Sequence, residues 1–122
     1  MTRFFLLAGA VLGALAVAAG AFGAHALEAR LTPERLEQWE LAARYQMYHA
    51  LALLAVGLTA QRAVSPISGA GWFMLIGTLI FCGTVYALAL GSPRWFGAIT
   101  PLGGTALIIG WVLLAIAVFR SE

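Results

Sequence analysis

Lysine, aspartate and asparagine are absent from this chain of 122 residues, and cysteine occurs once. Its seven basic residues are therefore all arginine and its five acidic residues all glutamate. A lone Cys82 excludes an intrachain disulfide and leaves the redox compartment unread. The formal net charge of +2 supplies no basic stripe, so a nucleic-acid partner is not expected. Charged residues make up 10% of the chain, against about 25% in soluble domains. So few charges cannot cover the 62% of residues that are hydrophobic, and the mean hydropathy is +0.94. Disorder is excluded as well, because disordered chains lack hydrophobic residues. The composition is that of an integral membrane protein whose first partner is the lipid bilayer. Its length suits about four spans at about 20 residues each.

Apolar runs cover Phe4–Ala24, Tyr45–Ala60, Ala70–Leu90 and Phe96–Phe119. Three are charge-free and long enough to cross a bilayer. The second is shorter and opens on the polar pair Tyr45-Gln46, so it needs the segment before it to complete a span. Short connections at 62–69 and 91–95 carry the breakers Ser65-Pro66 and Ser92-Pro93 and make neighbouring helices antiparallel. Arg3, the apolar run and Ala24-His25-Ala26 also imitate a secretory signal. The run of 21 residues exceeds the usual 7–15 of a signal core, so a retained span is expected. The sequence thus predicts an all-α single domain over 1–122, a four-helix transmembrane bundle with spans near 4–25, 45–62, 70–90 and 97–119.

Seven of the charges fall between Glu28 and Arg44. Thr32-Pro33-Glu34 is a helix start, with Thr as N-cap, Pro at the first helical position and an acid in the first turn. Leu36, Trp39 and Ala43 then share a face from which Glu34, Glu37 and Arg44 are turned away. This predicts a short amphipathic interfacial helix near 33–44, with Trp39 toward the headgroups. No Gly or Pro interrupts Glu34–Val56, so the helix can enter the second span with or without a bend. Four spans put both termini on one side with Arg62. Arg3, Arg62 and Arg120 against Arg30, Arg35, Arg44 and Arg94 do not decide which side that is.

Gly9 and Gly13 open a small-residue row that Ala16, Gly20 and Ala24 continue at a spacing of four. Small residues let helix backbones approach in lipid. Gly77 and Gly83 in the third span, and Gly103, Gly104 and Gly110 in the fourth, are candidates for the same role. Packing within the chain is expected of them before a dimer face.

The polar residues are not spread evenly. With alternating helix directions, His25, Tyr45, Gln46, His49, Tyr86 and Thr100 all fall in one leaflet, beside the loops at 25–44 and 91–96. The opposite halves, such as Leu51–Leu58 and Leu107–Val118, are almost wholly apolar. A polar group in lipid requires a reason. Four stretches here also carry a resemblance: G-A-F-G-A-H-A-L from Gly20, W-x-x-A-x-x-Y-Q-x-Y-H-A-L from Trp39, F-C-G-T-V-Y-A-L from Phe81 and T-P-L-G-G-x-x-x-I-x-G-W from Thr100. In this order they resemble the YgdD/YwdK family of small multi-pass membrane proteins, with Cys82 where that pattern carries Ser. The resemblance implies a bacterial inner-membrane protein of four helices and brings no activity with it.

The polar set predicts one shared cluster of His25, Tyr45, Gln46, His49, Tyr86 and Thr100, held by interhelical hydrogen bonds. Two other readings compete with it: a proton or solute pathway, and a metal or haem held by His25 and His49. No C-x-x-C-H motif supports a haem, and zinc would want three or four ligands. No cofactor and no metal are expected. Catalytic residues are not expected either. Cys82 lacks a charged neighbour that would activate it, and no serine elbow, phosphate loop or zinc-protease pattern occurs. The function that follows is a structural or accessory membrane component, alone, as a homo-oligomer or beside a larger membrane protein. A small-solute or proton-linked transporter acting as an oligomer is the alternative.

Overall fold

Helix starts and stops follow from local chemistry at two chain reversals, before Pro33 and after Ala89. The computed structural model describes residues 2–61 and 66–121. It contains four long helices: α1 (Thr2–Leu27), α2 (Pro33–Ala60), α3 (Ile67–Ala89) and α4 (Phe96–Phe119). Thr32 caps α2, its hydroxyl accepting the Arg35 N–H at 3.2 Å, and Pro33 fills the first helical position. The end of α3 is a Schellman turn. Ser92 N–H returns to the Ala87 carbonyl and Gly91 N–H to that of Leu88. Gly91 stands at φ 97°, where a side chain is strained. Gly91→Ala should therefore cost about 1 kcal/mol, read as a lowered midpoint of thermal unfolding in detergent. A loss of the same size at Gly83, which has ordinary helical φ, would contradict this cause.

Residues 33–44 and 45–60 form one uninterrupted helix, so the helix expected near 33–44 continues into the second apolar run. The reason is the lack of any breaker in that stretch together with packing along its length. At about 1.5 Å per residue its 28 residues extend about 42 Å, more than the ~30 Å of a hydrocarbon core. Arg62 and Ser65, in the connection that follows, lie outside the described residues.

Extensive packing runs in chain order, α1 on α2, α2 on α3 and α3 on α4, and α1 and α4 do not pack extensively on each other. The expected four-helix bundle is therefore an open array in chain order, with α2 and α3 in its centre. Glycines explain its close approaches. A Cβ on Gly9 would stand 2.7 Å from the Ala50 carbonyl oxygen, one on Gly77 3.0 Å from that of Gly103, and one on Gly110 2.7 Å from Met74 Cγ. Gly13 faces Ala50 and Met47, and Gly20 faces Ala43. All these contacts lie within the chain. Gly83, by contrast, is exposed with nothing near its missing Cβ, so its expected packing role is not seen.

At the end that holds both termini, Phe5, Leu53, Val56 and Met74 are fully enclosed, with Phe5 seated over Gly71. The outer surface is apolar: Leu7, Val11, Leu15, Leu51, Leu58, Ile76, Leu79, Ile108 and Val112 are all exposed. A soluble monomer does not expose apolar side chains so continuously. Three helices, α1, α3 and α4, are long and apolar enough to cross a membrane. The polar residues of α2 keep it out of that class.

Candidate functional site

Trp39, Gln46 and Leu53 recur at seven-residue intervals along α2, and Ala42, His49 and Val56 repeat beside them. This double row is the inward stripe of the helix. At the charged end it sends polar side chains to both sides of α2, and the structure sorts them into separate groups instead of one cluster.

On the α1 side, Gln46 is 6% exposed and bridges three helices. Its Nε2 donates to the Leu12 carbonyl at 2.8 Å, and its Oε1 accepts the Tyr86 hydroxyl at 2.7 Å. Trp39 lies above them, its ring centroid 4.6 Å from that of Tyr86, and its Nε1 donates to the Ala19 carbonyl at 2.8 Å. Ala19 belongs to a π-helical stretch, Ala18–Gly23, within α1. Its carbonyl also takes the Ala24 N–H, the long-range bond of a wide turn. A Cβ on Gly23 would stand 3.0 Å from the Trp39 indole, so glycine is what admits the ring. Trp39 thus points into the protein, which corrects its expected headgroup position. A cavity of about 330 Å³ lies beneath, lined by Leu15, Thr78, Cys82 and Gly83 among others.

On the α4 side, His49 is 5% exposed. Its Nδ1 is 2.7 Å from the Tyr45 carbonyl, and its Nε2 is 3.0 Å from Trp111 Nε1. An indole N–H only donates, so Nε2 accepts and the imidazole proton sits on Nδ1, donated to Tyr45. Both nitrogens of a neutral ring are satisfied. Tyr45 adds a ring 5.0 Å from Phe81 and 5.6 Å from Tyr48. These side chains border a groove of about 680 Å³ between α2 and α4.

Thr84 and Thr100 form a third, smaller pair, their hydroxyls 2.7 Å apart between α3 and α4. His25 lies exposed in the last turn of α1 and joins none of these groups. The partner of His49 is Trp111, not His25. Among the described residues, no three His, Cys, Asp or Glu side chains stand together as a metal would require. Sequence reasoning missed three participants, Thr84, Trp39 and Trp111. Trp39 was detectable from its seven-residue spacing to Gln46. Trp111 had no comparable signal, because its partner sits 62 residues away.

A family model described as a protein of unknown function, DUF423, matches residues 19–104. That span holds Trp39, Gln46, His49 and Tyr86 but stops before Trp111. The chain is 43% identical to the UPF0382 membrane protein SSP2132 of Staphylococcus saprophyticus, over 97% of this chain and 98% of that one. It is 39% identical to the UPF0382 membrane protein YwdK of Bacillus subtilis, with the same coverage. No solved structure matches.

Proposed function

This chain belongs to the DUF423 family, and on that premise we propose a structural or accessory protein that crosses the bacterial inner membrane four times. Both termini share one side, and no reaction is catalysed. It works by presenting a fixed helical surface to lipid, to its own copies or to a larger membrane protein.

The observation that carries this reading is the closure of the hydrogen bonds around α2. Gln46 is engaged at both ends and His49 at both ring nitrogens. A relay for protons or solutes needs groups free to exchange partners, and these are committed to neighbouring helices. The same closure supports α2 as a span. Gln46 and His49 face protein, while Leu51, Ala55 and Leu58 face outward. Polar groups that meet inside a helical array meet the demand of the bilayer that such groups be satisfied internally.

His49→Ala tests the reading. Loss of one interhelical hydrogen bond should lower stability by about 1 kcal/mol, measured by denaturant titration in mixed micelles. Proteoliposomes of both forms should hold a pH gradient as long as empty vesicles do. A gradient that collapses with the native protein and survives with His49→Ala would overturn the proposal in favour of a proton pathway.

A further inference from the structure

We propose that the groove between α2 and α4 binds a neutral, ring-headed membrane lipid of the isoprenoid quinone class. The inference rests on the four-span reading, since the groove must open to lipid.

The groove's chemistry changes along its length. Tyr45, Tyr48, His49 and Phe81 line the end toward the charged loops, Leu51, Leu107 and Ile108 line the part nearer the middle of the array, and Trp111, about one turn beyond Leu107 on α4, reaches His49 with its indole. Its occupant should therefore carry a head that lies among aromatic rings and a hydrocarbon tail that runs inward. The volume of about 680 Å³ falls within the usual range of ligand pockets, ~300–1,000 Å³.

Three observations restrict the head. Among the described residues no arginine or glutamate lines the groove, and both ring nitrogens of His49 are already engaged, by the Tyr45 carbonyl and the Trp111 indole. A phosphate head would find no counter-charge there. The Tyr45 and Tyr48 side chains are both exposed, and among the described residues the phenol that bonds to protein is that of Tyr86. Two donors thus stand free at the rim. Phe81, Tyr45, Tyr48 and Trp111 also present a fan of rings, with Tyr45 tilted 32° to Phe81 and Trp111 set edgewise to His49 at 66°. A flat ring can stack among them while its carbonyl oxygens accept from the phenols. An uncharged planar head with two acceptors and a long apolar tail describes a quinone. Gly104 keeps the wall open: a Cβ there would meet Phe81 only at 3.7 Å, so a larger side chain has room to enter the groove without moving the backbone.

Decylubiquinone is the probe. Full-length protein in nanodiscs of phosphatidylethanolamine and phosphatidylglycerol is titrated while tryptophan fluorescence is read. Expected is saturable quenching that is largely lost in Trp111→Phe and weakened at least tenfold in Gly104→Leu. Quenching that rises linearly with quinone and is equal in Gly104→Leu would mean partition into the bilayer alone and would overturn the proposal. So would a dimer that Gly104→Leu dissociates, since the groove would then be filled by a second copy. A separate arm uses doxyl-labelled phosphatidylcholine with its label near the headgroup. Quenching that falls in Trp111→Phe, with a remainder from the exposed Trp72 and Trp95, is expected. Its failure would show that the groove does not face lipid, and the four-span reading would fall together with the quinone site. Failure with decylubiquinone alone removes only the site.

Discussion

Gly103→Ala should be among the most damaging single-methyl changes in this protein, costing about 3 kcal/mol, the upper part of the range for forced overpacking. The added Cβ would lie 2.5 Å from the backbone nitrogen of Phe81 and 3.0 Å from the Gly77 carbonyl oxygen. Both obstacles are main chain, so no rotamer change relieves them and α3 and α4 must separate. That contact also positions Phe81 and Gly104 at the α2–α4 groove. Gly83→Ala is the matched control. It sits on the same helix pair with nothing within 4 Å of the new methyl, and the helix gains propensity from alanine. Folded fraction in a denaturant titration should fall sharply for the first variant and stay level or rise for the second. Equal effects would show that glycine flexibility, and not close packing, governs both sites.

Gln46→Leu is expected to cost about 2 kcal/mol, although leucine is the more lipid-compatible residue. Two interhelical bonds disappear, each worth about 0.6 kcal/mol on average within a membrane. The Tyr86 hydroxyl is then left without its acceptor, a penalty of about 1–3 kcal/mol when such a group is buried. A double change, Gln46→Leu with Tyr86→Phe, removes both partners and should recover about half of the loss. If the single change stabilises the protein, Gln46 is kept for a ligand and not for the fold. A second sign of the structural role is that Trp39 should become more mobile, because its ring rests on Tyr86 at 4.6 Å.

These expectations came partly from the sequence and partly from the structure, and the boundary between them is physical. Apolar runs place α1, α3 and α4 to within a few residues, since hydropathy and length act locally. The small-residue rows reveal Gly9, Gly77, Gly103 and Gly110 as contact positions, because close backbone approach admits few residue types. Gly83 has the same local signature and faces outward, so residue type alone does not determine a helix's rotation. The crowding of polar residues at one end was also readable. Their sorting was not: whether His49 meets His25 or Trp111 depends on helix stagger, which no local pattern encodes. The π-helical stretch at Ala18–Gly23 likewise has no sequence mark beyond its two glycines. Its role as the seat of Trp39 emerges only once α2 packs on α1.

The central claim is that α2 crosses the membrane with Gln46 and His49 turned inward. Single cysteines placed at Glu37 and at Gln61, with Cys82 replaced by serine, test it directly in sealed vesicles of both orientations. Both positions are exposed at opposite ends of α2. A membrane-impermeant maleimide should label Glu37→Cys from one face and Gln61→Cys only from the other. Labelling of both from the same face would mean that α2 lies on the bilayer instead of spanning it, and would contradict the account.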